Sequence, residues 1–513
     1  MTTPLPPSNL QAAPGVRRAS PILAYAFAGL IAASFTLGIW GLLREKRAAV
    51  LAVTGGYLVY EVGVSGLLGV AAGIGVARRM RRGGVPAGQA SEGGQVPAMS
   101  VLIAAYNERS CIEATIESAR AQNGLDFEIL VASDGSADGM NEFLIERYVL
   151  RETGSAPGWP VLVSETDPRL KFLVLPKVGK GHALNAVLAR AKFDLVATLD
   201  ADTYLVPGSL ASLAATFQDS RVAAAGGFIY IRNAGVGGPW LARYQYWEYL
   251  KNFMWRVGLV ELDVCLQVSG AFGAFRTATL RELGGFDGAS GVEDYEIIFR
   301  LHERLRLAGR ADHRVEVAPG AVALTDGPEN PSAFIAQRTR WFAGFLQTLW
   351  DYRTMVGDRR LGALGWLLLP IKCIDALLPI WGVLSLGILV AALASGIESL
   401  QITAAALFGG KVLIELANAA IVWACHRAMF GDRHFAVRMW PYILTEGLVF
   451  HWFRQIAVLR AYVRAFNRRQ NWEQPRWRGE PPPAQGVGPS EIPCNLAGSI
   501  GYVPPRARRG LFP

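Results

Sequence analysis

Two aspartates, Asp200 and Asp202, close the stretch DLVATLDADT at residues 194–203. The apolar residues before them read as a buried strand, so the strand ends in two carboxylates. Residues two apart in a strand face the same side, and this predicts that both acids address one point beyond the sheet edge. Carboxylates that close raise each other's pKa and resist desolvation unless a cation joins them. Hard divalent ions take oxygen ligands, and Mg²⁺ or Mn²⁺ commonly binds one or two carboxylates together with substrate phosphates. The pair points to a metal–diphosphate site held by Asp200 and Asp202. A bare D-x-D triplet is common in unrelated chains, so its place at a strand end is what makes it informative.

Two further constellations carry chemistry. VEDYEIIFRLHERL puts Glu293 and Asp294 at the start of a helical pattern. Acids there suit the helix dipole, and Asp294 could equally act as a general base aimed at an acceptor hydroxyl. Downstream, Gln337-Arg-Thr-Arg340-Trp341 lies in another helical pattern. Arg340 offers a fork of donors to a diphosphate and Trp341 a flat face to a sugar ring. The same two residues could instead anchor the domain at a membrane surface.

The elements that must position these groups can be read from periodicity. Between 98 and 350, short apolar runs alternate with helical patterns: MSVLIAAY and IEATIESARAQ, FEILVAS and MNEFLIERYVL, LKFLVLP and HALNAVLARA, FDLVATLD and SLASLAATF, then VAAAGGFIYI. This alternation predicts an α/β domain, a mostly parallel sheet with helices on both faces. In such sheets ligands bind outside the carboxyl ends of the strands. There the chain carries AYNE (Ala105–Glu108), SDGS (Ser133–Ser136), KVGKGHALN (Lys177–Asn185) and the DAD triplet. Any one of these could be plain turn chemistry; four at one edge argue for a site.

The rest of the chain has a different texture. Of 513 residues, 51% are apolar and only 18% charged, which places part of the chain in lipid. Pro21–Leu43 and Ala48–Ala77 are each long enough to cross the bilayer as a helix. ARRMRRGG follows, and the positive-inside rule puts it and the α/β domain on the cytoplasmic side of a multi-pass inner-membrane protein; Arg44, Lys46 and Arg47 between the spans oppose that orientation. We therefore divide the chain into a disordered N-terminus (1–20), two spans (21–77), a basic Gly-rich linker (78–97) and the α/β domain (98–350). Interface helices and about three membrane segments follow (351–465: Leu361–Gly396, Ile402–Cys425, Trp440–Ala461), then a basic, Pro/Gly-rich tail (466–513). Glu61, Lys372, Asp375, Lys411, Glu415, Glu446, His451 and Arg454 fall in or near the apolar runs. Ionisable groups there line a polar pathway, lock a bundle by ion pairs, or lie on interface helices. The net charge of +9 suits phosphates and anionic lipid; nucleic acid is not expected, because the basic clusters lack interleaved aromatics. Five cysteines without CxxC spacing give neither a disulfide framework nor a zinc site.

In order and spacing, Asp134, Asp200-Ala-Asp202, Glu293-Asp294 and Gln337-Arg-Thr-Arg340-Trp341 resemble the D, DxD, ED and QxxRW motifs of the membrane-embedded family 2 glycosyltransferases. That superfamily includes the cellulose, chitin, hyaluronan and poly-N-acetylglucosamine synthases. The resemblance covers roughly residues 97–350 and implies a GT-A-type nucleotide-sugar-binding domain inserted between transmembrane helices. It implies that Tyr106, Glu108 and Asp134 hold the uracil and ribose of a UDP-sugar, with Lys180 near the nucleotide and Asp200 and Asp202 at the metal, Mg²⁺ or Mn²⁺. The loop Ser269–Arg276, through Ser269 and Gly270, would meet the acceptor glycan with Glu293, Gln337 and Trp341. Asp294 would be the base, and Arg340 would steady the leaving diphosphate. The implied activity is an inverting polysaccharide synthase using UDP-GlcNAc or UDP-glucose, extruding its product through its own spans, in some relatives with a helper subunit. A non-processive transferase acting on a lipid uses the same motifs. A transporter or scaffold would leave about 250 soluble residues without a task. In the tail, Trp472 and Arg476 resemble a segment that closes over the nucleotide in some synthases, or form a plain basic tail near lipid. No PilZ-like pair of motifs accompanies them.

Overall fold

The computed structural model describes residues 51–81, 96–153, 159–235, 237–430 and 435–466, with isolated positions between 29 and 48. The Pro-rich N-terminus, most of the Pro21–Leu43 run, the linker after Arg81, and the tail with Trp472 and Arg476 lie outside the described residues.

The first long helix, α1 (Leu51–Arg81), opens as a π-turn and ends in Arg78, Arg79 and Arg81. Beyond the linker come β1 (Met99–Ala105), α2 (Ile112–Arg120), β2 (Phe127–Asp134), α3 (Met140–Arg147) and the short β3 (Leu150–Glu152) and β4 (Leu162–Ser164). Next are β5 (Leu170–Leu175), α4 (Lys180–Leu188), β6 (Leu195–Asp200), β7 (Thr203–Leu205), α5 (Ser209–Ala215) and β8 (Val222–Ile231). The domain closes with α6 (Trp240–Glu261), β9 (Phe272–Arg276), α7 (Thr277–Glu282), α8 (Glu293–Leu307), β10 (Arg314–Thr325) and α9 (Pro331–Asp351).

One sheet holds all ten strands in the order 3-4-5-2-1-6-9-8-10-7. Its centre, β5-β2-β1-β6, is parallel, with Val101 opposite Ile129 and Ile103 opposite Leu199. These strands are near-continuous apolar runs because both faces are covered. Val101, Ile103, Ile129 and Phe172 enter one core layer, while Leu102, Leu130, Leu173 and Val196 enter the other. The sheet is mostly parallel, as expected, and β8 and β10 also pair in parallel; the exceptions beyond β6 are β9 and β7. There β9 runs antiparallel between β6 and β8, so β8 is not the neighbour of β6. The stretch Ser269–Arg276, expected as a loop, is a loop only as far as Ala271. Glycine explains the difference: a Cβ on Gly273 would sit 2.3 Å from Val268 Cγ1, and one on Gly227 would sit 2.2 Å from Phe272. The small residues that resemble a loop are those that let β9 slot into a crowded sheet.

After the domain, α10 (Leu364–Ala394) and α11 (Glu398–Phe430) join α1 as the three described helices long and apolar enough to cross a membrane. Glycines bring α1 close to α6: a Cβ on Gly258 would lie 2.7 Å from Leu68 O. The expected segment Trp440–Ala461 differs from these three. It folds as α12 (Phe435–Thr445) and α13 (His451–Phe466), joined by a π-turn at Glu446–Phe450. Glu446, Arg454 and Arg460 interrupt its apolar face, and α13 lies on α9, where Thr339 Oγ1 donates to Ala457 O at 3.1 Å.

Candidate active site

A cleft of about 580 Å³ opens at the carboxyl edge of the sheet. It is lined by Tyr106, Glu108, Asp134, Lys180, Asp200, Asp202, Ser269, Gly270, Glu293, Asp294, Gln337, Arg340 and Trp341, the residues to which the sequence assigned donor, metal, acceptor or catalytic roles. They come from four strand ends or loops and three helices, so only the folded chain unites them.

The two aspartates are not brought together by strand alternation as expected. β6 ends at Asp200, and Ala201–Asp202 form a turn into β7, which pairs back on β10. Thr115 Oγ1 donates to Ala201 O at 2.7 Å and fixes that turn. Burial beneath the cleft, with the Asp200 and Asp326 carboxylates, pushes Asp202 up to about 6. Asp200 has a counter-ion in Lys180, whose Nζ stands 2.7 Å from Asp200 Oδ1 and 2.7 Å from Glu293 Oε1. Burial alone would lower the Lys180 ammonium, but the two carboxylates outweigh it and hold it above its ordinary value.

Asp134, at the end of β2, is 1% exposed. Its oxygens accept from Val178 N at 2.6 Å and Gly179 N at 2.9 Å, and pair with Lys177 Nζ at 3.0 Å. The carboxylate thereby holds the 177–179 loop, and Lys177 Nζ reaches 3.0 Å from the centre of the Tyr106 ring. Gly135 permits the close approach: its φ is +71°, and a Cβ there would meet Lys177 N at 2.6 Å.

Asp294 sits in the first turn of α8. Its Oδ2 accepts from Gly270 N at 2.8 Å, and its Oδ1 from Tyr295 N at 2.9 Å. Burial and the Glu293 carboxylate push it up to about 6, against the opposing pull of Lys180 and the Gly270 N–H. A carboxylate poised near neutrality is suited to taking a proton. Across the cleft, α9 starts with Asn330 capping Ala333 N and Pro331 in the first turn. Gln337, Arg340 and Trp341, at i, i+3 and i+4, share a face. One turn on, a Cβ on Gly344 would lie 2.6 Å from Val292 at the foot of α8.

Arg340 makes no hydrogen bond or ion pair with any described residue, and burial holds its guanidinium below the ordinary value despite Glu293 and Asp200 nearby. Gln337 Oε1 is buried without a partner among the described residues. Arg338, which pairs with Glu248 at 2.6 Å, covers one face of Trp341 from 4.3 Å.

Sequence reasoning missed several lining residues. Glu248, Asn252 and Arg256 project from α6 into the cleft; their i, i+4, i+8 spacing in WEYLKNFMWR was the available signal. Asp326, held by Arg232 at 2.5 and 2.9 Å, follows β10 in LTDG, one more strand-end acid. Of the ionisable groups near the apolar runs, Lys372, Asp375 and Arg454 line the cleft. The others are paired: Glu61 and Glu415 with Lys411, Glu446 with Lys251, and His451 with Gln455.

Comparison with known proteins accords with this geometry. Poly-beta-1,6-N-acetyl-D-glucosamine synthase of Staphylococcus epidermidis is 26% identical over 261 residues, 50% of this chain and 56% of that protein. Its Staphylococcus aureus (strain COL) counterpart is 26% identical over 256 residues, 49% of this chain and 55% of that protein. The chain thus spans about half the length of the curated relatives it matches. The mannosyltransferase PcManGT from Pyrobaculum calidifontis, solved with GDP-Man and Mn²⁺, superimposes with a TM-score of 0.51 at 20% identity, over 81% of this chain and 100% of that one. This likeness shows a shared fold, an α/β glycosyltransferase domain of GT-A type. The model described as Glycosyl transferase family 2 matches residues 100–266, and the model described as Glycosyl transferase family group 2 matches 195–460. The second match spans more than half of the 513 residues, and the chain belongs to the glycosyl transferase family group 2.

Proposed function

We propose that the chain transfers a hexose from a UDP-sugar to the hydroxyl end of a growing polysaccharide, in one inverting displacement at the anomeric carbon. The observation that carries this reading is the facing of Asp294 and the unpaired Arg340 across the cleft that also holds Asp200 and Asp202. UDP-GlcNAc is the favoured donor, since curated relatives are named poly-N-acetylglucosamine synthases; UDP-glucose is the second choice.

Each side chain has a task in that step. The Tyr106 ring and Glu108 face the nucleotide, and Asp134 shapes that wall by holding the Lys177 loop. Ser269, Gly270, Glu293, Gln337 and Trp341 frame the acceptor, with the open face of Trp341 under a sugar ring. Asp294 takes the hydroxyl proton as the oxygen attacks, and Arg340 meets the charge that grows on the departing diphosphate. Asp200 and Asp202 are oxygen donors side by side, with the Asp202 carboxyl pushed up by burial and the Asp200 and Asp326 carboxylates, and such a pair fits a divalent ion. Mg²⁺ or Mn²⁺ there would neutralise the diphosphate.

The three Arg residues ending α1 support a cytoplasmic catalytic domain on a multi-pass inner-membrane protein. Export through the chain's own helices fits α10, which lends Lys372 and Asp375 to the cleft. The test uses purified chain in lipid with Mn²⁺, Mg²⁺ or EDTA and each UDP-sugar in turn, following UDP release and product size. Metal-dependent release with a long glycan supports the reading. A single-sugar product overturns the polymerase part, and no release from any UDP-sugar overturns the donor assignment.

A further inference from the structure

Beside the main cleft lies a second cavity of about 230 Å³, between α1, α6 and the start of α10. Its wall is hydrocarbon, with Val64, Leu67 and Leu68 from α1, Leu259 from α6, and Leu368 and Ile371 from α10. Its polar end is shared: Asn252, Arg256, Gln267, Tyr295, Lys372 and Asp375 line both cavities. The two spaces therefore meet at a junction one residue from Asp294.

The junction is built for an anion. Arg256 Nε is buried without a partner, and the guanidinium makes no hydrogen bond or ion pair with any described residue. A buried donor left unmade is costly unless a ligand satisfies it. The second cation, Lys372, pairs with Asp375 at 2.9 Å, and Asp375 also accepts from Tyr60 at 2.7 Å. Asp375 answers Lys372, and Asp294 lies within electrostatic reach of Arg256, so it is the unmade donors of Arg256, not a surplus of charge, that a phosphodiester oxygen would satisfy. The apolar arm is walled by α1 and α10, two of the three described helices long and apolar enough to cross a membrane. Leu67 of α1 is 36% exposed and Trp366 of α10 56%, as suits helices facing lipid.

We propose that this groove seats the hydrocarbon tail of a phosphodiester membrane lipid, with its phosphate between Arg256 and Lys372, and that the acceptor is carried on that lipid. A hydroxyl beyond the phosphate then reaches Asp294. Its oxygen bonds to the anomeric carbon as the bond from that carbon to the diphosphate breaks; Asp294 takes the proton and UDP leaves. The proposal rests on the transferase reading above and names the class of its acceptor.

Phosphatidylglycerol serves as the probe, against diacylglycerol, which has the same tails and no phosphate, with full-length chain in mixed nanodiscs. Native mass spectrometry after extraction counts retained lipid. Labelled UDP-sugar is followed into the organic phase, and UDP release to water is read separately. Wild type should retain phosphatidylglycerol about tenfold over diacylglycerol and send label to the organic phase. Arg256→Gln should lose that preference. Leu68→Trp should lose the lipid and the organic label while still releasing UDP to water. If Leu68→Trp does not fold, Val64→Phe takes its place. Equal retention of both lipids by wild type, or retention unchanged in both variants, overturns the groove. Label confined to water-soluble glycan overturns the lipid-borne acceptor. Absence of UDP release with lipid preference intact sinks the transferase reading alone.

Discussion

In the bundle beside α6, Glu446 accepts from Trp247 Nε1 at 2.8 Å and pairs with Lys251 at 2.8 Å and Arg454 at 3.3 Å. Glu248 in turn pairs with Arg338 and Arg454. A short distance away in the cleft, Arg340 and Gln337 Oε1 have no partner among the described residues, and burial with neighbouring carboxylates pushes the Asp202 carboxyl up to about 6. Both regions are polar and sheltered, and Glu248, Arg338 and Arg454 border the cleft as well, yet the Glu446 carboxylate is fully partnered and the Arg340 guanidinium is not. Folding leaves buried polar groups unmade only at a cost, so the unpartnered groups mark where a ligand belongs and the ion pairs around Glu446 are scaffold.

That contrast can be broken from either side. On the cleft side, Asp294→Asn should lower the transfer rate roughly 10³-fold, within the range of general-base losses, while UDP binding measured by calorimetry stays near wild type. A near-normal rate would end the assignment of the base. Arg340→Ala should cost about 10²-fold in kcat, and Arg340→Lys should recover only part of it, because an ammonium lacks the planar fork. On the scaffold side, Glu446→Ala strands Lys251, leaves Arg454 with Glu248 alone, and should remove roughly 3 kcal/mol of stability, seen as a lower Tm. Activity per folded molecule should persist; a selective loss of kcat would move Glu446 into the site. The mildest probe is pH. A base acts deprotonated, so kcat/KM should fall about tenfold per unit below pH 6, flatten above it, and lose that limb in Asp294→Asn.

Much of this site was legible because strand-end polarity is a local signal. AYNE, SDGS and DAD each follow an apolar run, and a parallel sheet carries such ends to one edge. What stayed hidden was non-local. The place of β9 between β6 and β8 depends on which backbones can approach, and Gly227 and Gly273 announce small size without naming the partner. The Asp200–Asp202 pair was read as a strand feature, yet β7 must turn back toward β10, which lies over a hundred residues on. Arg256 was passed over because α6 is aromatic and basic on most sides. Its meaning lies in the partner it lacks, which no sequence displays.

The contact between Gly344 and Val292 has a consequence for how the base and the arginine keep their separation. Here α8 and α9 touch through a hydrogen where any other residue carries a methyl. Gly344→Ala should prise the two helices apart and lower kcat at little cost in donor affinity. Val292→Ala in the same chain should return it, because the room removed on one side is restored on the other. The gap across which a sugar changes hands is then a gauge block, cut to one thickness by the smallest residue available.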